Sequence, residues 1–514
     1  MASTNVVTFH AKEAFYVRRK DIPHQVYKKI VQDYSFHFFS ERACNDCELK
    51  EHRLKSETKL TPTCEECAAY LGGAVMAYDE KVKGVTYLKT PIGNHAPLKK
   101  HLVKAGIKYT VKRHHRDNPM KRKIRFTGTY RDKYQEEVVE TIIEKKRGII
   151  KSPPRSGKTV MGSAAVCKIG QKTLILASQR EWLLGFQETF IGSKTQPALT
   201  NCRPSQIGIC KTLADFESKD VCLATVQTFY NENGKRLLNK IKSKFGVVMI
   251  DEIQTGNAAE YAKVIAVLNA KVMIGLSGTP ERKDQRDIIA EQLVGPILYE
   301  AKVAQLKGEV RLVRTEYSAN TKGQQMWARM VGNLEKNPQR LKLIAKWAIK
   351  DAEAGHMILI PFTQVTPIKA LVKAINMMAG KQIARPFYGG LKKPDRDKYI
   401  QAARNYKIKI LVGNMRLLST GTNIPRASCL YEVTLSSNIP QATQRFARIL
   451  TPYEDKPTPM YRIFMDDTSV RRRCMQNEFW KCLMPRFKPT IQDKDMSVLK
   501  EYLSGKEEKI HRSL

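Results

Sequence analysis

Acidic residues are scarce in this 514-residue chain: 50 Asp and Glu stand against 89 Lys and Arg, a formal charge of +39. Such an imbalance excludes a neutral surface and makes a polyanionic partner, above all nucleic acid, the first expectation. Equally absent is any uninterrupted apolar run approaching the roughly 18–20 residues that a bilayer-spanning helix needs. Met1 to His10 has no basic start followed by an apolar core, so no secretory signal is read there. A soluble, intracellular protein without a membrane partner is expected. A disulfide framework is lacking too. Of 11 cysteines, four form two close pairs near the N-terminus and seven are scattered singly, which suits metal ligands plus reduced thiols.

What is present is enough for several domains. The length exceeds one ordinary core, and with 42% hydrophobic residues the chain can bury two to four. Residues 1–39 mix aromatic side chains with basic ones, although Tyr27 and Tyr34 read equally well as core of a small domain. Cys44-Asn-Asp-Cys47 and Cys64-Glu-Glu-Cys67 are two knuckles able to set four thiolates around one tetrahedral zinc, with an iron site or two unrelated pairs as the alternatives. Four filled positions leave no place for a catalytic water, so that metal is expected to be structural. His52, between the knuckles, is surplus to such a site. Residues 97–126 carry Lys112, Arg113, Arg116 and eight further cations against the single acid Asp117. A run of this kind is either a solvated linker or a surface that tracks phosphates, and the overall charge favours the second.

Further along, the apolar run Gly148-Ile-Ile150 leads into Ser152-Pro-Pro-Arg-Ser156-Gly157-Lys158-Thr159 and then a helix-compatible segment from Val160 to Lys168. Strand, loop and helix in that order make a phosphate-binding loop. Gly157 lets backbone amides approach a phosphate, Lys158 reaches the outer phosphates, and the Thr159 hydroxyl faces a bound magnesium ion. The strict pattern has glycine where Ser152 stands. Phe245-Gly-Val-Val-Met-Ile250 reads as a buried strand ending on Asp251 and Glu252: Asp251 suits a magnesium ion, and Glu252 suits activation of the water that attacks the terminal phosphate. Two more apolar runs, Thr173 to Ala177 and Val221 to Ala224, end on Ser178-Gln179-Arg180 and Thr225-Val-Gln227-Thr228. These polar ends are either ligand-facing or ordinary strand termini. From about residue 305 the alternation of strands and helices starts again, with strand candidates at 357–361, 408–412 and 429–433 and a helix at 367–378.

In order and spacing these motifs resemble those of superfamily 2 helicases over residues 126–465. Phe126 to Gln135 resembles the aromatic-glutamine segment before the phosphate loop, which implies that Gln135 reads an adenine edge. Ser277-Gly-Thr-Pro280 resembles the motif that links hydrolysis to the nucleic-acid track. Leu418-Ser-Thr420-Gly421-Thr-Asn423 resembles the fifth motif, though an acid often stands where this chain has Asn423. Gln441-Ala-Thr-Gln444-Arg445-Phe-Ala447-Arg448 resembles the sixth, with Ala447 in place of glycine and Thr451 where the family's final arginine falls.

The resemblance implies an α/β chain: two RecA-like parallel-sheet domains in tandem, preceded by a small zinc-binding N-terminal domain. Expected boundaries are 1–122 for the basic, zinc-binding domain, 123–304 for the ATP-binding domain, 305–485 for the second motor domain and 486–514 for a charged tail. The cofactors implied are ATP, Mg2+ and Zn2+. Catalytic roles fall on Lys158, Asp251, Glu252, Gln444, Arg445 and Arg448, with Arg448 the main candidate to reach the phosphates. Gln135, Ser156, Gly157, Lys158, Thr159, Asp251 and Gly421 hold the nucleotide; Thr159 and Asp251 hold its magnesium. Ser178, Gln179, Arg180, Thr225, Gln227, Thr228 and Thr420 contact nucleic acid, joined by Lys112, Arg113 and Arg116.

Within the superfamily the compact motor is similar to bacteriophage fork-remodelling and branch-migrating helicases of the UvsW kind. The implied partner is forked, branched or single-stranded DNA, handled by a monomer in the cytoplasm, the host's if the chain is viral. RNA is not excluded. An RNA helicase, a duplex translocase, or a zinc-containing binding protein with an inactive motor are the alternatives.

Overall fold

The computed structural model describes residues 6–39, 70–153, 156–193, 196–253, 258–278, 287–302, 306–318, 327–420, 424–434 and 439–504. The chain divides into two compact units, Met1–Lys302 and Val303–Leu514.

The first unit begins with a five-stranded sheet in the order β5-β6-β2-β1-β7, built from β1 (Val7–Ala11), β2 (Ala14–Arg18), β5 (Tyr78–Val82), β6 (Val85–Pro91) and β7 (Tyr109–Arg113). A separate pair, β3 (Ser35–Phe39) and β4 (Tyr70–Val75), lies between β2 and β5 in sequence. Helices His24–Asp33 and Ala96–Lys104 cover one face of the five-stranded sheet, where Phe9, Val17 and Leu88 meet Ile30, Leu98 and Leu102. The basic stretch from residue 97 is thus partly a folded helix, with Leu98 and Leu102 buried one turn apart, and partly the edge strand β7. Tyr34 is wholly buried and donates to the Asn94 carbonyl at 2.7 Å; Tyr27 lies half-buried beneath the Arg19 guanidinium.

This small domain is tied to the sheet that follows it. Gly93 N–H donates to the Gln292 carbonyl at 2.9 Å, an approach so close that a Cβ on Gly93 would lie 2.6 Å from that oxygen. Phe36 packs beside Ile289, on the helix Asp287–Leu293.

Seven parallel strands form the first motor sheet, in the order β10-β11-β9-β12-β13-β8-β14: β8 (Arg147–Lys151), β9 (Thr173–Ala177), β10 (Ile207–Ile209), β11 (Val221–Thr225), β12 (Val247–Asp251), β13 (Val272–Ser277) and β14 (Ile297–Glu300). Its central strands are apolar on both faces because helices pack on both sides, the usual state of a parallel sheet. Helix Lys158–Ile169 is buried all round from Met161 to Cys167 and lies closest to the sheet at Gly162, where a Cβ would stand 2.7 Å from Met249 Sδ.

The second unit holds six parallel strands in the order β15-β20-β19-β16-β18-β17: β15 (Glu309–Ser318), β16 (Met357–Phe362), β17 (Ala384–Phe387), β18 (Ile410–Asn414), β19 (Ala427–Glu432) and β20 (Met460–Asp467). Its core contains ion pairs as well as hydrocarbon. Arg340 meets Asp466 at 2.7 Å and Arg462 meets Asp351 at 2.6 Å, all four buried. No helix among the described residues is long and apolar enough to cross a membrane.

Candidate active site

At the carboxyl edge of the first motor sheet, Ser152 leaves β8 and donates its N–H to the Ser277 carbonyl at the end of β13, 2.8 Å away. Its hydroxyl lies 2.5 Å from that of Ser156, and both side chains are fully buried. The serine that replaces glycine here ties the two ends of the loop together from inside. Gln135 Nε2 and the Tyr134 hydroxyl both donate to the Ser156 carbonyl, at 2.8 and 2.5 Å, while Gln135 Oε1 accepts from Arg131 N–H at 2.8 Å. The amide expected to read adenine is therefore 3% exposed and engaged at both ends by the protein, acting as a brace behind the loop. Gly157 follows with φ +88°, and a Cβ there would fall 2.3 Å from Gln135 Nε2. Only glycine fits both the backbone and the space.

Lys158 opens the helix and reaches across the strand ends. Its ammonium lies 2.9 Å from Glu252 Oε1 and donates to the Ser152 carbonyl at 3.3 Å. Asp251, buried at the end of β12, has its carboxyl pushed up to about 7 by burial and by the neighbouring Glu252, with Lys158 opposing. Glu252 itself holds φ +48°, a left-handed backbone that costs a side-chain-bearing residue on the order of 1–3 kcal/mol and recurs at functional sites. Two carboxylates before a single ammonium leave room in charge for a divalent cation, and the glycine-lined turn leaves room for phosphate. The residues fit ATP and magnesium, with Thr159 half-buried in the first helical turn.

On the same edge, β9 and β11 lie side by side with Ala177 opposite Thr225. Ser178, Gln179 and Arg180 follow the first strand. Gln227 Nε2 donates to the Ser178 carbonyl at 3.1 Å, and the Thr225 and Thr228 hydroxyls are 3.2 Å apart. The two polar segments thus form one continuous rim, with Arg180 and Gln227 exposed.

In the second unit, Arg445 lies in the core. It is 1% exposed inside helix Ile439–Ile449, its guanidinium makes no hydrogen bond, and its nearest acid is Glu432 at 3.8 Å. In this state the side chain faces the core and not solvent. Arg448, one turn on, is half-buried. Thr420 ends the helix Met415–Thr420; its side chain, that of Gln444 and the whole of Gly421 lie outside the described residues, as do 279–286.

A residue not singled out by sequence is Glu335. Wholly buried at the end of helix Trp327–Lys336, it accepts from Thr363 N–H and hydroxyl (both 2.8 Å), Gln364 N–H (3.1 Å) and the Thr434 hydroxyl. It fastens the carboxyl ends of β16 and β19 together. Nothing in a single acid in the last turn of a helix signals this.

Lys112 and Arg113 stand exposed on β7, and Arg116 is exposed just beyond it. The four knuckle cysteines, Cys44, Cys47, Cys64 and Cys67, and His52 lie outside the described residues, among which no group of three or more His, Cys, Asp or Glu is placed to hold a metal.

Comparison with known families agrees with this geometry. Residues 130–282 match the family described as type III restriction enzyme, res subunit, and residues 339–450 match the helicase conserved C-terminal domain. The chain belongs to the superfamily 2 helicases, with two RecA-like domains. Among its relatives is a candidate DNA 3'-5' helicase of Halobacterium salinarum, Rad25, 27% identical over 340 residues that make up 62% of this chain and 52% of that protein. The chain spans about half the length of the first curated relatives it matches. In fold it is similar to the DUF1998 helicase MrfA bound to DNA, with TM-score 0.51 and 11% identity, over 76% of this chain and 56% of that one. T4 UvsW aligns over 95% of this chain and 98% of its own, at 15% identity and TM-score 0.40.

Proposed function

We propose that this chain is an ATP-dependent DNA helicase that unwinds or remodels forked and branched DNA in replication, recombination or repair, in the manner of phage fork-remodelling helicases. The observation that carries the hydrolytic part is the meeting of Lys158 with Glu252, beside Asp251, at the ends of parallel strands. Lys158 binds the outer phosphates of ATP, and Glu252, released from that pairing, takes the proton of the attacking water as the terminal phosphate departs. Magnesium, when bound through Asp251 and Thr159, neutralises charge on the phosphates. Arg448 is the arginine we assign to the terminal phosphate. The rim of Ser178, Gln179, Arg180, Thr225, Gln227 and Thr228, together with Thr420, holds the DNA backbone, so sequence preference is low and affinity falls steeply with salt.

DNA is favoured over RNA by the description of Rad25 and by the DNA held in the MrfA structure. We assign residues 1–122 to nucleic-acid binding, with Cys44, Cys47, Cys64 and Cys67 on one structural zinc, residues 123–304 and 305–485 to the motor, and 486–514 to a charged tail. The test is ATP turnover at one fixed salt with no nucleic acid, single-stranded DNA, duplex, fork, four-way junction and single-stranded RNA. Greatest stimulation by fork or junction supports the reading. A preference for RNA makes the protein an RNA helicase, and no turnover on any of them rejects the motor.

A further inference from the structure

The face of the N-terminal sheet turned away from its helices carries a row of residues in register across all five strands. Lys112 stands opposite His10, His10 opposite Tyr16, Tyr16 opposite Lys89, and Lys89 opposite Tyr78. At a strand spacing near 4.8 Å the row is roughly 19 Å long. Two residues further along, Arg18 stands opposite Tyr87 and Tyr87 opposite Glu80. The side chains meet as the register requires. Lys89 Nζ lies 5.4 Å from the Tyr16 ring and 5.6 Å from the Tyr78 ring, and Tyr16 and Tyr87 meet edge to face at 6.5 Å.

The acids on this face are already engaged: Glu80 pairs with Lys89 at 2.8 Å, and Glu13 accepts from the Tyr16 hydroxyl at 2.6 Å. Lys12, Arg18 and Lys112 remain exposed, and Tyr78 is 45% exposed. Beyond them β5 and β6 run on as a hairpin exposed on both sides, turning through Lys83 and Gly84 at φ +48° and +79°. Val82 and Val85 stand opposite one another, exposed at its tip, beside Lys81 and Lys83.

We infer that this face is a docking surface for single-stranded DNA, with Tyr78 and Tyr87 stacking on bases and Lys12, Arg18 and Lys112 meeting phosphates. The inference rests on the helicase reading and names the surface that takes a strand once it is freed. Aromatic rings interleaved with cations are the chemistry of sequence-tolerant single-strand binding, since every base offers a flat face. A duplex offers mainly phosphate to such a surface, and the tyrosine rings would then add little.

The test is fluorescence anisotropy of the full chain, without nucleotide, on a short labelled oligothymidine and on a duplex of equal length. Tyr78→Ala and Tyr87→Ala are each expected to weaken strand binding at least about five-fold. Tyr78→Phe should restore it, and affinity for duplex and ATP turnover without DNA should not change. In the same assay Lys112→Ala should flatten the salt slope by about 0.7. Undiminished strand binding by the double alanine variant overturns the inference, as does an equal loss on duplex. Because binding is read without ATP, a wild-type protein that fails to hydrolyse ATP rejects the helicase reading and leaves this result interpretable.

Discussion

Lys158 and Glu252 meet at 2.9 Å across the ends of β8 and β12. On the proposed reading phosphate and glutamate compete for one ammonium, so nucleotide entry would free the carboxylate at the moment a base is needed. Lys158→Ala and Glu252→Gln should therefore both bring ATP turnover to the assay floor. Binding of DNA in the absence of nucleotide should stay within a few-fold of wild type, as read by anisotropy beside a phosphate-release assay. Full unwinding by either variant would refute the assignment.

Gly157→Ala sets a methyl against Gln135 Nε2 and forces a left-handed backbone. Strain of roughly 1–3 kcal/mol in the loop should raise the KM for ATP by about five- to 150-fold. Adding Gln135→Ala removes the collision and not the backbone strain, so recovery should be partial.

The two arginines of helix Ile439–Ile449 should separate cleanly. Arg448→Ala is expected to lower kcat on the order of 10³-fold or more with an unchanged melting temperature. Arg445→Ala, which empties a buried position beside Glu432, should instead lower the melting temperature, with activity following the folded fraction.

Metal analysis of the purified chain should give one zinc, and Cys47→Ser should release it. Strong chelation should likewise strip the zinc and weaken DNA binding while the motor keeps its ATP turnover without DNA. A metal-free native protein with intact DNA binding would remove zinc from the picture.

Burial holds His356 below its ordinary value of 6.5, with its Nδ1 3.1 Å from the Ser428 hydroxyl. The unfolded chain takes up a proton near 6.5 and the folded one resists it. Its contribution to stability is thus complete above 6.5 and is lost as the pH falls below it. Melting temperatures measured from neutral to mildly acidic pH should fall more steeply for wild type than for His356→Asn.

How far the sequence could be read depended on how each part earns its burial. Strands such as Val221–Thr225 and Val247–Asp251 are apolar on both faces and end on polar motifs, so they were legible as continuous runs. β5 is almost wholly exposed and β2 is buried on four of its five residues, so neither alternates; β1 does, but five residues of alternation are too few to mark a sheet. Chemistry that needs fixed spacing, the Gly157-Lys158-Thr159 turn and the Asp251-Glu252 pair, was visible at once. Direction was not. Arg445 lies three residues after buried Ala442 and four before buried Ile449, on the inward stripe of its helix, and only packing shows that it turns into the core rather than out of it. Gln135 likewise has the chemistry to read a base, yet its amide is held by Arg131 and Ser156.

At Gly93 two main chains touch with no side chain between them, and the Gln292 carbonyl that receives its N–H belongs to the helix rising toward β14. Backbone against backbone has no rotamer to absorb a shift, so any side chain added at Gly93 would force the two main chains apart. On the inference drawn above, a strand lying on the N-terminal sheet would travel as cargo with the ATP-binding lobe to which Gly93 fastens that sheet.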